Sequence, residues 1–119
     1  MQYLLMIYQN EVEYAKLEAN ADQKQKMTGE YQAFTQSIIS SGNYKGGDRL
    51  QPTTTATTVR VRDGKIMTTD GPFAETREQL GGYYMIEAKN LDEAIGIAAR
   101  IPSARLGSIE VRPIWQYNH

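Results

Sequence analysis

The run YLLMIY, from Tyr3 to Tyr8, sets six apolar residues side by side at the start of the chain. It is far too short to cross a bilayer, which takes about 20 apolar residues, and it lacks the basic flank of a signal peptide. Its polarity is continuous rather than alternating, so it reads as a strand covered on both faces in the middle of a sheet.

The rest of the chain supplies the partners of that strand. After a polar stretch, Asn20 is placed to cap a helix with Gln23 three residues on. Met27, Tyr31, Phe34 and Ile38 then fall on one apolar stripe, and Ser41-Gly42-Asn43 ends it, so a helix is expected over about residues 21–41. Tyr44 to Leu50 reads as a strand weakened by Gly46-Gly47, a pair that suits a bulge. Thr57 to Arg62 alternates around Val59 and Val61, and Asp63-Gly64 is the two-residue connection of a type I′ hairpin into Lys65 to Thr68. Gly82 to Glu87 is a further strand. Asn90 and Glu93 form a second capping pair, and Leu91, Ala94, Ile95, Ala98 and Ile101 keep helical spacing until Pro102 stops the helix. Ser108 to Arg112 alternates, with Ile109 and Val111 on one face, before Pro113 limits further pairing.

Strand, helix, several strands, helix, strand is the order of an α+β fold with helices gathered on one face of a mainly antiparallel sheet, the ferredoxin-like arrangement. The 119 residues suit one domain, 1–119, since no repeat or Pro/Gly-rich linker divides them. Such a sheet has a second face to cover, and Tyr, Met and Ile occur on both sides of its strands. A second copy of the chain is the economical cover, so a homodimer is expected.

Composition narrows the chemistry. Thirteen Lys and Arg stand against fourteen Asp and Glu, a net charge of −1 that offers no field for nucleic acid or an anionic membrane. The absence of Cys excludes disulfides, thiolate nucleophiles and Cys-ligated metals, and fits a cytoplasmic protein. The single His is His119, at the chain end, where a catalytic triad or metal site has no firm support. Carboxylates alone do not form the alternating loop that calcium needs, so neither metal nor cofactor is expected.

The densest chemistry lies in DGPFAETREQLGGYY, Asp70 to Tyr84. Asp70-Gly71-Pro72 has the chemistry of a rigid turn, which would present the Asp70 carboxylate to a cleft as a general base or simply close the chain. Phe73 is expected to plug into apolar surface and anchor the loop. Arg77, beside the turn, and Arg49, upstream, are the candidates for gripping a carboxylate or phosphate by paired hydrogen bonds. Gly81-Gly82 has no helix after it, so it suits close strand packing rather than a phosphate cradle. Tyr83 and Tyr84 point to opposite faces of their strand, so at most one lines a given cavity; Tyr83 joins Arg49 and Arg77 as a ligand-binding candidate.

DGPFAET, QLGGYY and IEVRPI in this order, with the intervening GGDRLQPTTTATTVRVRDGKIMTTDGPF and LDEAIGIAARIPSARLGSIEVRPI, resemble the YCII-related proteins, specifically their DGPF subgroup, over nearly the whole chain. The resemblance implies a dimeric α+β barrel, two ferredoxin-like units packed sheet to sheet. It also implies small bacterial proteins, some linked to sigma factors of the extracytoplasmic-function type. Relatives outside the subgroup have a proposed His-Asp pair, of which this chain offers only the Asp side, Asp70. The shortage of catalytic groups favours binding of a small polar or anionic metabolite near the DGPF loop. The alternative is a small acid-base enzyme using Asp70.

Overall fold

The structure is a computed structural model and describes residues 1–117; His119 lies outside the described residues. Strand β1 (Gln2–Gln9) is followed by helices α1 (Glu11–Ala19) and α2 (Ala21–Ser40), then β2 (Tyr44–Arg49), β3 (Thr57–Arg62), β4 (Lys65–Asp70), β5 (Gln79–Glu87), α3 (Leu91–Ala99) and β6 (Ser108–Pro113). The main sheet has the order β2-β5-β1-β6 with every neighbouring pair antiparallel, and β3 and β4 form a separate ribbon. With the ribbon set aside, this is the ferredoxin-like α+β arrangement. No helix among the described residues is long and apolar enough to cross a membrane.

Each helix begins at an asparagine. Asn10, Asn20 and Asn90 each accept a hydrogen bond from the backbone N–H three residues on, at Glu13, Gln23 and Glu93 respectively, which satisfies one of the donors a helix start leaves open. Helix α1 stands where the sequence suggested only a polar connection. None of its residues is buried and its apolar residues form no stripe, so periodicity is silent there; the Asn10-to-Glu13 spacing is the signal that marks it. Helix α3 ends at Ala99, short of the expected residue 101. Ile101 and Pro102 instead lead a 3₁₀ turn, Pro102–Arg105, whose Pro102 and Ser103 are buried.

The core lies between one sheet face and helices α2 and α3. Tyr3, Leu5 and Ile7 of β1 and Ile86 of β5 meet Phe34, Ile38, Ala94, Ile97 and Ile101 there. The alternate residues Leu4 and Met6, opposite Met85 and Tyr83 of β5, point to the other face, which no helix covers. The expectation that β1 is covered on both faces therefore holds for one face of the chain.

The β3–β4 ribbon turns through Asp63 and Gly64, both at positive φ, as a type I′ hairpin requires. Its alternation faces outward. Val59, Val61 and Ile66 share one solvent-facing side, while Arg60, Arg62, Lys65 and Met67 share the other. Phe73 corrects a further expectation: it is 79% exposed and lies beneath the Arg60 guanidinium, 5.8 Å from its ring centre, rather than plugging apolar surface. Gly71, at φ +97°, donates its N–H to the Ala56 carbonyl (2.7 Å) and accepts from Thr58 Oγ1 (2.9 Å), so the Asp70-Gly71-Pro72 turn ties off the base of the ribbon.

Candidate functional site

The helix side of the sheet does not close completely. Helices α1 and α2 splay over the ends of β2 and β5, leaving a cavity of about 570 Å³. The positions of its walls follow from the local sequence. A bulge between Ile7 and Tyr8 offsets β1 against β5 at Gly81-Gly82, and a second irregularity between Tyr44 and Gly46 offsets β2, so both strands curl at the cavity edge. Glycine at 81 and 82 permits this approach: a Cβ on Gly82 would lie 3.0 Å from the Asp48 carbonyl oxygen, and one on Gly81 would lie 2.9 Å from Gln9 Nε2.

Five tyrosines, Tyr14, Tyr31, Tyr44, Tyr83 and Tyr84, line the cavity. Tyr84 is held edge-on against Phe34 (5.2 Å between ring centres) and Tyr44 (6.4 Å), and its hydroxyl is 2.6 Å from Thr35 Oγ1. The Tyr31 hydroxyl is 2.6 Å from Ser103 Oγ, which links α2 to the buried 3₁₀ turn. Burial raises the pKa of Tyr14, with the Glu18 charge adding to the shift and Arg49 opposing it. Burial likewise pushes Tyr31 up to about 12 against the opposing Ser103 hydrogen bond, and raises Tyr84 against that of Thr35. These three hydroxyls therefore keep their protons at neutral pH: they can donate hydrogen bonds but do not abstract protons.

Charge enters at the rim. Arg49, at the end of β2, donates from Nη2 to Glu18 Oε1 of α1 (2.5 Å), and its guanidinium lies 5.6 Å from the centre of the Tyr14 ring. The Glu18 hydrogen bond is the largest cause raising the Arg49 pKa, so this cation is permanent. Lys24 of α2 contributes a second cation, an ammonium, to the lining, and Asp48 a second carboxylate beside Glu18. Among the described residues no three His, Cys, Asp or Glu side chains converge in a way that would hold a metal ion.

The four residues singled out in the sequence separate in space. Arg49 and Tyr83 line the cavity; Asp70 and Arg77 do not. Tyr83 turns away from Tyr84, and its hydroxyl donates to Asp48 Oδ2 across the strand pair (3.0 Å), the interaction that chiefly raises its pKa. Asp70 is exposed at the end of β4. Arg77 enters the structure through its carbonyl, which accepts from Asn10 Nδ2 (3.1 Å) and clips the loop to the start of α1. The same helix start holds both sides of the ribbon base: the Glu11 carboxylate accepts from Thr53 N and Oγ1 (2.7 Å each), and the Glu11 N–H donates to Gln79 Oε1 (2.9 Å). Sequence reasoning missed Gln9, Tyr14, Glu18, Lys24 and Tyr31, because most of these residues come from helices whose approach to the sheet edge is a tertiary fact. Only Tyr31, on the apolar stripe of α2, carried a signal, and that signal marked it as core.

Comparison with known proteins agrees with this architecture. The solved structure of 5-chloro-2-hydroxyhydroquinone dehydrochlorinase (TftG) from Burkholderia phenoliruptrix AC1100, in complex with 2,5-dihydroxybenzoquinone, is similar with a TM-score of 0.51 over 99% of this chain and 96% of that one. At 14% identity the likeness is one of fold. An uncharacterised protein of Rhizobium meliloti (strain 1021) is 35% identical over 119 residues, covering 98% of this chain and 94% of its own length. The YCII-related domain matches residues 1–118, and the chain accordingly belongs to the YCII-related family.

Proposed function

We propose that this protein binds a small polar or anionic metabolite in the cavity between α1, α2 and the edge of β2 and β5. The observation behind this reading is the make-up of that cavity: about 570 Å³, walled by tyrosines and edged by Arg49, which Glu18 engages, by Lys24, and by Asp48, which accepts from Tyr83. Cavities of roughly 300–1,000 Å³ with an apolar wall and a few convergent polar groups are the usual form of a small-molecule site. The Arg49–Glu18 pair spans the rim from β2 to α1, so an incoming anion meets a guanidinium already oriented by a carboxylate and a ring. Proton abstraction has less to draw on, since Tyr14, Tyr31 and Tyr84 hold their protons and Asp70 stands outside the lining.

The test is a thermal-shift screen of small organic anions on the wild-type chain and on Thr28→Trp, which places a large ring in the cavity from an exposed position of α2. Ligands that stabilise the wild type and not the variant support the reading. A screen whose hits stabilise both proteins equally refutes it. Under the same reading the working unit is a homodimer with Leu4, Met6 and Met85 on the shared face, and light scattering at micromolar concentration should give twice the chain mass.

A further inference from the structure

Helix α1 has nine residues, none of them buried, whereas α2 buries Met27, Phe34 and Ile38. A helix shorter than about 12–15 residues is marginal in water unless tertiary packing of an apolar face supports it. The side of α1 turned toward the protein carries Glu11, Tyr14, Leu17 and Glu18, all half-buried, so carboxylates occupy two of its four positions. Polar clamps stand there in place of a core. At the first turn Asn10 and Glu11 are tied to Arg77, Gln79 and Thr53. Farther along, the hold on the sheet comes from Arg49, which meets both Glu18 and the Tyr14 ring and stays largely exposed to water. At the far end Asn20 alone joins α1 to α2, as C-cap of the first and N-cap of the second, in extended backbone.

We propose that α1 is the lid of the cavity: Glu11–Ala19 lift away between Asn10 and Asn20 while α2 and the sheet stay folded, and the Arg49–Glu18 pair is the latch. Tyr14 and Glu18 are the residues that α1 gives to the lining, so its departure removes one wall of the cavity. Opening gives up an ion pair reached by water, a ring contact and the hydrogen bonds of one turn, and it exposes little apolar surface beyond Tyr14 and Leu17. Segments with so few buried apolar contacts open well before the molecule unfolds. Asn10 and Asn20, at the ends of the element, absorb the change in backbone angles. On the reading of the cavity as a ligand site, this movement governs entry and release; the opening itself does not depend on that reading.

The test combines hydrogen exchange on the full chain with a single introduced thiol. In the wild type the amides of Ala15 to Ala19 should be at least about a hundredfold less protected than those of Phe34 and Ile38, and their exchange should respond little to urea, because little surface is exposed. Glu18→Gln keeps the shape of the side chain and removes the latch charge, so protection in α1 should fall about two- to fivefold, the range of an exposed ion pair. Salt at about 1 M should bring the wild type toward the same value. The chain has no Cys, so Thr35→Cys places one thiol in the cavity wall. Its reaction with a bulky aromatic disulfide should quicken by the same factor when Glu18→Gln is added, with the weak urea dependence of α1. Exchange of the α1 amides at the protection and urea slope of Phe34 and Ile38 overturns the lid. Thiol reactivity indifferent to Glu18→Gln overturns it too, since α1 would then open without governing the cavity. Protection of α1 unchanged by both Glu18→Gln and salt overturns the latch. Should Thr35→Cys fold poorly, the wild-type exchange alone decides whether α1 opens separately. Every arm is read without a ligand, so its failure leaves the cavity reading to the anion screen, and an empty screen leaves the lid standing.

Discussion

Replacing Gln9 by Met should make the ligand-free protein more stable, a result opposite to that of most substitutions at partly buried positions. The side chains are of similar length, so Met can lie across Gly81 as the amide does, while the buried Oε1 without a partner is removed. A buried acceptor left unsatisfied costs about 1–3 kcal/mol, and allowing for imperfect repacking the gain should be about 1–2 kcal/mol. For a domain of this size that corresponds to a rise in Tm of about 4–8 °C. Scanning calorimetry reads the shift, and urea unfolding should show a higher midpoint with an unchanged slope, which places the effect in the native state rather than in its compactness. Gln9→Ala is the control, because it removes the same oxygen but leaves a void, so its gain should be cancelled or reversed. A Gln9→Met protein that melts below the wild type would refute the reasoning, since the oxygen would then have a partner in the free protein.

Three further outcomes are expected. The Tyr31 hydroxyl titrates near 10 when unfolded and at about 12 when folded, so its share of stability is full below pH 10 and is lost as the pH rises to about 12, with Tyr14 and Tyr84 shifted in the same direction. Urea midpoints should therefore hold steady from pH 7 to 9 and fall above 10, less steeply in Tyr31→Phe; a pH-independent midpoint would contradict the burial of these hydroxyls. Asp70→Asn alters an exposed side chain outside the cavity, so it should change stability by no more than about 0.5 kcal/mol and leave anion binding intact. Lost binding in that variant would bring the loop back into the site. Gly71→Ala has open space for its Cβ but a φ of +97°, so strain alone should cost about 1–2 kcal/mol; an unchanged melting curve would show that the ribbon base relaxes freely.

Much of the fold was written in short-range chemistry. The run Tyr3–Tyr8 is an interior strand, Asn20 and Asn90 start helices, and Asp63-Gly64 closes a type I′ hairpin, because caps, turns and unbroken apolar runs act over a few residues and leave direct marks on composition. Gly46-Gly47 sits beside an offset in strand pairing for the same reason. The candidate site was much less legible. Asp70 and Arg77 drew attention because they lie seven residues apart around a rigid turn, yet the ribbon carries Asp70 away from the cavity and the loop uses the carbonyl of Arg77 rather than its charge. Gln9, Glu18, Lys24, Arg49 and Gly81 are scattered through the sequence and gain their roles only when α1 and α2 lean over the ends of β2 and β5. Nothing in the sequence around Gln9 distinguishes it from Gln2 or Gln79. Its isolation from every donor is a property of three-dimensional packing, in which the side chain lies across a bare glycine just past a bulge and its oxygen is shut off from water. Local pattern therefore determined which segments are strands and helices, while long-range packing decided which side chains meet, because hydrogen-bond satisfaction and burial depend on neighbours that the chain brings together only on folding.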